Sequence, residues 1–483
     1  MKHVNELKPE SPPTLQQGIE PQIQSIASFY ESHGENLTGH GRAYRTLLSH
    51  YYRHLVPQDA SVLEIGCGAG HLLAELPNRD VTGIDVSPRQ IQAAKERVPH
   101  GSFHVGAGEN VKLDRTFDCI IISDTIHQAA DVQQMLENAL NFAKNNTRLL
   151  LNFYSALWKP LLSLSVLLGI RKRQPPSNWL APDDVLNLLR ISGWDPIVLA
   201  PRILMPIRCL GLEHVANRWL APLLPWLNLT VFCTARPRRN ATQSSPSVSV
   251  IVPARNEAGN IRHAVTRLPE FAGKTEIIFV EGGSSDNTWD EIERVCAEFP
   301  EKQIVKMRQT GSGKGAAVRD GFAAATGDIL MILDADLTTP PEELPKFYRV
   351  LASGQADFAN GVRLVYPMEE RAMQFLNMCA NKMFSILFTW LLGQPVKDTL
   401  CGTKVLWRRD YEKLAAQRSY FGNFDPFGDF DLLFGAARMN LKIVDIPVHY
   451  KSRTYGETNI QRWKHGALLI RMALYAARKI KFL

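Results

Sequence analysis

The chain of 483 residues lacks any apolar run long enough to cross a bilayer. Its longest largely apolar stretches, Pro160–Ile170 and Met383–Leu392, fall short of the roughly 20 residues a spanning helix needs. Trp219–Phe232 is apolar but broken by Pro222 and Pro225, and the N-terminus carries no apolar core of a signal peptide. The seven cysteines are odd in number, scattered and without a CxxC pair, which excludes a disulfide framework or a zinc ribbon and fits a reducing cytoplasm. Charge of one sign is also scarce. A net +7 does not describe a protein built to bind nucleic acid, and 45% apolar against 21% charged residues excludes a disordered chain. At roughly 150 residues per domain, two or three domains are expected.

What is present is an α/β pattern that occurs twice. Residues 1–39 read as an N-terminal arm, rich in Pro, Gln and Glu and loose over its first 25 residues. A domain over 40–237 follows, with strand–turn–helix alternation from about Ala60 to Pro237. Arg236-Pro-Arg-Arg-Asn-Ala-Thr-Gln-Ser-Ser-Pro-Ser247 is basic, then Ser/Pro-rich, and reads as a linker centred on 238–247. The alternation restarts at Val248 and fills a domain 248–457, followed by a basic amphipathic tail over 458–483. Two successive α/β domains with mainly parallel strands are the expected fold.

In the first half, Val62-Leu-Glu-Ile-Gly-Cys-Gly-Ala-Gly-His71 is a short strand running into a glycine-rich turn. Gly66, Gly68 and Gly70 allow a tight turn and close approach to a ligand. The dinucleotide fingerprint fails, because its last glycine falls on His71. Asp85 ends the next strand, Val81–Val86, and suits a ribose diol, which offers two donors to one carboxylate. These residues resemble the class I S-adenosylmethionine-dependent methyltransferases over about 40–237. The resemblance implies a Rossmann-like fold, S-adenosylmethionine as cofactor, Glu64 and the Gly66–Gly70 loop at its methionine end, and Asp85 on its ribose. It also implies strands at Phe117–Asp124 and Leu149–Phe153, and an antiparallel last strand at Leu227–Ala235. Ala107 stands where the family often has an acid facing adenine, with Glu109 and Asn110 the nearest polar groups. His127 reads either as a base for the methyl acceptor or as a structural loop histidine, the latter favoured. Ala156–Arg208, apolar and basic, reads as a cap on the acceptor pocket, a lipid-facing segment or core.

In the second half, three apolar strands end in acids: Val248–Pro253 before Arg255 and Glu257, Glu276–Val280 before Glu281, and Asp328–Leu333 before Asp334-Ala-Asp336. Carboxylates at the C-terminal ends of parallel strands lie where open α/β sheets bind ligands. Asp-x-Asp there suits Mg²⁺ or Mn²⁺ bridging two phosphates. Gly311-Ser-Gly-Lys-Gly315 is not a Walker loop but places Lys314 at a helix start, a plausible anion site. The set resembles the inverting family 2 glycosyltransferases of GT-A fold over about 247–460, with the closest likeness to polyprenyl-phosphate sugar transferases of the dolichol-phosphate mannose synthase type. The resemblance implies that Pro253, Arg255 and Glu257 flank the nucleoside of a nucleotide-sugar donor and that Glu281 contacts base or ribose. Asp334 and Asp336 would hold the metal and diphosphate. Arg363 and Arg371 would receive the acceptor phosphate, and Arg453 would face the donor phosphates. Two departures stand out: Glu281-Gly-Gly-Ser replaces Asp-Asp-Gly-Ser, and Asn459 replaces a lysine.

Lys314, Arg453 and the metal carried by Asp336 suit a leaving nucleoside diphosphate. A phosphate acceptor needs no base, only arginines. A glycan hydroxyl needs a carboxylate, and Asp429 or Asp431 is the candidate, unless both merely start a helix. The tail holds six Lys/Arg and no acid among apolar residues, reading as membrane-surface binding or as a packing helix. The expected function is a bifunctional enzyme, peripheral on the inner face of the cell membrane. It would move a sugar from a nucleotide-sugar to polyprenyl phosphate and methylate a small molecule, sugar or lipid. The alternative is transfer to a glycan hydroxyl beside a methyltransferase-like domain that only binds cofactor, as sensor or scaffold.

Overall fold

The computed structural model describes residues 15–33, 39–168, 177–239, 245–366, 375–417, 428–453, 455 and 462–482. Arg371, Asn459 and the basic run 171–173 lie outside the described residues. The chain divides into two compact units, Met1–Pro237 and Arg238–Leu483.

The first unit is built on seven strands: β1 (Val62–Ile65), β2 (Val81–Asp85), β3 (Ser102–Val105), β4 (Phe117–Ser123), β5 (Ala143–Tyr154), β6 (Trp194–Ile203) and β7 (Thr230–Pro237). Their order is β3-β2-β1-β4-β5-β7-β6, with β1 to β5 parallel and β7 antiparallel to both neighbours. The order reverses at β1, so the loops after β1, β2 and β4 open onto one crevice. Between β2 and β3, the helix Pro88–Arg97 starts where the sequence indicates. Ser87 Oγ accepts from Gln90 N at 3.3 Å, and Pro88 takes the first helical position.

Two features differ from the sequence reading. The arm is a helix over Leu15–His33 rather than a loose segment. Its Glu31 accepts from Ser87 Oγ at 3.1 Å and from the Arg89 amide at 3.0 Å, which holds that helix against the start of the helix Pro88–Arg97. Sequence composition alone does not show such a tertiary tie. The basic residues of the linker also have partners. Arg236 is wholly buried on β7 with its guanidinium on Asp195 at 3.2 Å, and Arg239 reaches Asp357 at 2.6 Å.

The second unit carries β8 (Val248–Ala254), β9 (Thr275–Glu281), β10 (Gln303–Arg308), β11 (Ile329–Ile332), β12 (Phe358–Val362), β13 (Lys404–Trp407) and β14 (Ile443–Pro447). The order is β10-β9-β8-β11-β13-β12-β14, with β13 antiparallel to both neighbours. Alternate residues feed opposite cores, as the two-residue period of a strand requires. Ile251, Ile278 and Ile332 face Phe388, Phe430 and Met472, while Val250, Phe279 and Met331 face Ile261, Ile292 and Phe347.

The tail helix Arg462–Ile480 belongs to the first of those cores. Leu469, Met472, Ala473 and Ala476 are buried on the helix Phe375–Leu392 side, leaving Ile470 and Leu474 exposed. Most of its apolar stripe is therefore inward, as for a packing helix. Among the described residues, no helix is long and apolar enough to cross a membrane.

One buried ion pair ties the end of β12 to the loop before β13. Asp398, fully buried, accepts from Arg363 Nε at 2.7 Å and Nη2 at 2.9 Å, from Asn381 Nδ2 at 2.8 Å, and from the amides of Leu400 and Cys401. Burial alone would raise its pKa, but Arg363 and these donors hold it down to about 2. Asp398→Ala leaves Arg363 buried without its counter-charge, and a loss of about 3–5 kcal/mol in denaturant unfolding is expected.

Candidate functional site

In the first unit, the loop after β1 turns on three left-handed glycines: Gly66, Gly68 and Gly70 have φ of 75°, 51° and 72°. A Cβ at Gly66 would stand 2.2 Å from Thr125 Oγ1, so only glycine fits between this loop and the loop after β4. Asp85, at the end of β2, accepts from the Gly68 amide at 2.9 Å and from the Ser87 amide at 3.0 Å. The carboxylate is thereby fixed beside the glycine loop. Glu64 is buried on β1. The five residues named from the sequence thus come together at the crevice. Open backbone, a strand-end carboxylate and a buried acid fit a nucleoside carrying an amino acid, such as S-adenosylmethionine.

Glu109 takes no such place. Its Oε1 accepts from the Ala130 amide at 2.8 Å and from that of Asp131 at 3.4 Å, so it braces the loop after β4. His127 is structural. Its Nε2 accepts from the Tyr154 amide at 2.9 Å, so the proton sits on Nδ1, which faces the Asn178 carbonyl at 3.2 Å, and the ring stacks on Tyr154. A residue that sequence reasoning missed is Asp124, just past β4 with a positive φ of 53°. Its Oδ1 accepts from Asn152 Nδ2 at 2.5 Å and from Tyr44 Oη at 3.2 Å, and burial raises its pKa. Its signal in the sequence is the one that marks Asp85, Asp334 and Asp336, an acid at a strand's C-terminal end.

In the second unit, the ends of β8 and β9 are stitched together. Asn256, with φ of 56°, accepts from the Ser285 amide at 2.8 Å and donates its own amide to Ser284 Oγ at 3.0 Å. Glu281 accepts from the Ser284 amide at 2.5 Å. Pro253 lies on β8, and Arg255 follows it at the mouth. Past β11, Asp334 Oδ1 meets Lys314 Nζ at 2.6 Å, at the start of the helix Lys314–Ala324. A Cβ on Gly402 would fall 1.9 Å from Asp334 Oδ2 and 2.5 Å from Lys314 Nζ, so a side chain there would displace the pair. Asp336 Oδ1 accepts from Thr338 N and Oγ1, and its Oδ2 takes Arg453 Nη2 at 2.6 Å. Arg453 also reaches Glu257 Oε1 at 3.3 Å.

Glu257 is the titrating member. Burial pushes its carboxyl up to about 7, against the Asn260 hydrogen bond at 2.8 Å and the Arg453 charge, with Asp336 and Asp286 adding to the rise. Tyr455, absent from the sequence-named set, donates to Asp286 at 3.3 Å and covers Gly259.

Arg363, read from the sequence as an acceptor-phosphate residue, has its guanidinium fork on Asp398 and lies 5.1 Å over the Tyr450 ring. Asp431 is buried in the first turn of the helix Asp429–Arg438, which Asp429 begins. Among the described residues, no cluster of three or more His, Cys, Asp or Glu is arranged for a metal. Asp334 and Asp336 nevertheless fit a hard cation that keeps substrate phosphates as its other ligands.

The Glu257 shift carries a stability consequence. Its folded pKa exceeds the ordinary 4.5, so the native state binds the extra proton, and stability falls as pH rises from about 4.5 to about 7. Glu257→Gln should flatten that fall by on the order of 2–3 kcal/mol, read from urea melts at stepped pH.

Residues 249–415 match the family described as glycosyl transferase family 2, and residues 58–166 match a methyltransferase domain. A dolichol-phosphate mannosyltransferase of Pyrococcus furiosus is 35% identical over 44% of this chain and 59% of its own length. Glycosyltransferase AglD of Haloferax volcanii is 29% identical over 47% of this chain and 36% of its own. A dolichol-phosphate mannosyltransferase of Saccharomyces cerevisiae is 41% identical over 21% and 40%. The chain thus spans less than two thirds of each of these relatives. Among solved structures, a SAM-dependent methyltransferase from Thermotoga maritima is 17% identical, with a TM-score of 0.35 over 44% of this chain and 99% of that one. Magnesium protoporphyrin IX methyltransferase from Synechocystis is 14% identical, with a TM-score of 0.33 over 44% and 99%. The chain carries a methyltransferase domain followed by a glycosyl transferase family 2 domain.

Proposed function

We propose that the second unit transfers a sugar from a nucleotide-sugar to polyprenyl phosphate at the inner face of the cell membrane, and that the first unit transfers a methyl group from S-adenosylmethionine. The observation that carries the sugar-transfer reading is the chain Glu257–Arg453–Asp336, beside Asp334–Lys314, at the mouth of the parallel strands. Two cations already sit among three carboxylates, which is the inventory needed to receive a diphosphate and give it up again. The similarity to dolichol-phosphate mannosyltransferases supports a polyprenyl phosphate as acceptor.

In this reading, Pro253, Arg255, Glu257 and Glu281 border the nucleoside, and Asp334 and Asp336 would hold Mg²⁺ or Mn²⁺. When bound, that ion neutralises charge on the leaving diphosphate. Lys314 and Arg453 exchange their carboxylate partners for phosphate oxygens as the donor enters. Arg363, held by Asp398, is the cation assigned to the acceptor phosphate in this reading, and Arg371, outside the described residues, is assigned to it by the family resemblance alone. A phosphate monoester attacks as an anion, so no proton has to be removed. In the first unit, Glu64, the three glycines and Asp85 bind the cofactor, and Asp124 with Tyr44 faces the methyl acceptor across the loop that Gly66 packs against. A raised carboxyl pKa there suits holding a hydroxyl or amine proton.

Two measurements test this. Labelled GDP-mannose, UDP-glucose and UDP-N-acetylglucosamine are offered with Mn²⁺ and polyprenyl phosphate, and label entering the organic phase is counted. Asp336→Asn is expected to lose about 100-fold or more, while Asp431→Asn stays within about tenfold because no base is needed. Label lost with Asp431→Asn, or appearing only on a glycan, overturns the lipid-phosphate reading. Calorimetry with S-adenosylhomocysteine tests the first unit. Asp85→Ala should weaken binding by about 10–100-fold, as expected for losing hydrogen bonds to a charged acceptor.

A further inference from the structure

The first unit carries an apolar surface on the segments that follow β5 and β6. The helix Lys159–Leu167 follows β5, has the sequence Lys-Pro-Leu-Leu-Ser-Leu-Ser-Val-Leu, and buries none of its residues. Leu167 is 83% exposed and Leu168 63%. A helix this apolar does not persist in water with its leucines bare, since burying each such side chain is worth about 1.5–3 kcal/mol. A second segment lies against it. Trp158 Nε1 donates to the Leu227 carbonyl at 2.9 Å, and the Ser155 amide to the Leu229 carbonyl at 2.7 Å. That segment exposes Leu212, Val215, Trp219, Leu223 and Trp226, the last at 62%. Of the large exposed apolar residues described in this unit, all but Val105 and Ile191 lie on these two segments.

The charges around it select its occupant. Lys159 and Arg208 are exposed beside the leucines, and Arg218 lies 5.7 Å over the Trp219 ring. Over 155–168 and 204–229 the sequence has one acid, Glu213. Its carboxylate is turned onto the amides of Cys209 at 2.9 Å and Gly211 at 3.0 Å. A second copy docking by two-fold symmetry would set these cations against their own kind with no acid to answer them. Apolar side chains, two exposed tryptophans and cations without acids are instead the chemistry of a surface that enters an anionic lipid interface.

We infer that the segments 156–168 and 207–227 of the first unit form a docking surface for anionic lipid bilayers. The leucines enter the acyl boundary, the tryptophans lie at the headgroup level, and Lys159, Arg208 and Arg218 meet the phosphates. The inference does not rest on the sugar-transfer reading, and its test uses no activity.

The full chain is sedimented with phosphatidylcholine vesicles and with mixed phosphatidylcholine–phosphatidylglycerol vesicles. Wild type should partition to the mixed vesicles, and Leu167→Asp with Leu223→Asp should reduce that partition about tenfold or more at unchanged circular dichroism. A second measurement leaves the patch apolar: brominated lipid quenches tryptophan emission in wild type, and Trp219→Phe with Trp226→Phe removes most of the quenching. Four results overturn the inference. They are absence of binding by wild type, unchanged binding by the aspartate variant, loss of binding on Ile470→Asp with Leu474→Asp instead, and a wild-type dimer that the aspartate variant converts to monomer.

Discussion

Carboxylates crowded at the ends of parallel strands repel one another unless a cation stands between them, and the second unit is arranged around meeting that requirement. Asp334 and Asp336 arrive together on the loop after β11 and Glu257 on the loop after β8, while Lys314 and Arg453 arrive from a helix start and from the chain beyond β14. A side chain at Gly402 would push against the Lys314–Asp334 pair, and Thr338 donates to one oxygen of Asp336 while the other takes Arg453. Glu257 has the weakest compensation, at 3.3 Å from Arg453, and it is the acid whose pKa burial lifts to about 7.

The first unit solves a different problem with different means. Its crevice is shaped by backbone, through three left-handed glycines, and Asp85 is held by the amides of Gly68 and Ser87. Amide donors fix a carboxylate without the rotamer entropy of a lysine or arginine, which suits a pocket for a cofactor of fixed shape. The second unit instead uses long side-chain cations, Lys314 and Arg453, paired to carboxylates.

Strand ends were legible from sequence wherever a buried strand ran into acids or glycines. Asp85, Glu281, Asp334 and Asp336 are all found there. β6 and β10, which lack that signature, were missed. β6 contains Pro196 and Pro201, and β10 is interrupted by Lys306, because both lie at sheet edges where one side needs no ladder. Asp398 was invisible because its meaning lies in a pairing with Arg363, 35 residues away. The tail was legible as amphipathic, but periodicity alone does not say whether the apolar face meets lipid or protein. Here Leu469 and Met472 place most of it in a core. The helix Leu15–His33 was obscured by its Pro21 and its glutamines, and its position comes from Glu31 and Tyr30 reaching Ser87 and Gln128.

The two prolines of β6 also bear on how this molecule avoids its own kind. β6 is the last strand of its sheet, and its ladder to β7 shifts register at Pro196/Val198 and again at Pro201/Ile203. An edge with missing amide donors and two kinks offers no regular template, so another chain cannot add a strand and start a fibril there. The opposite unit guards β10 with Lys306 and Arg308 instead. Aggregation by sheet extension is blocked at both of these edges, by backbone geometry in one and by charge in the other.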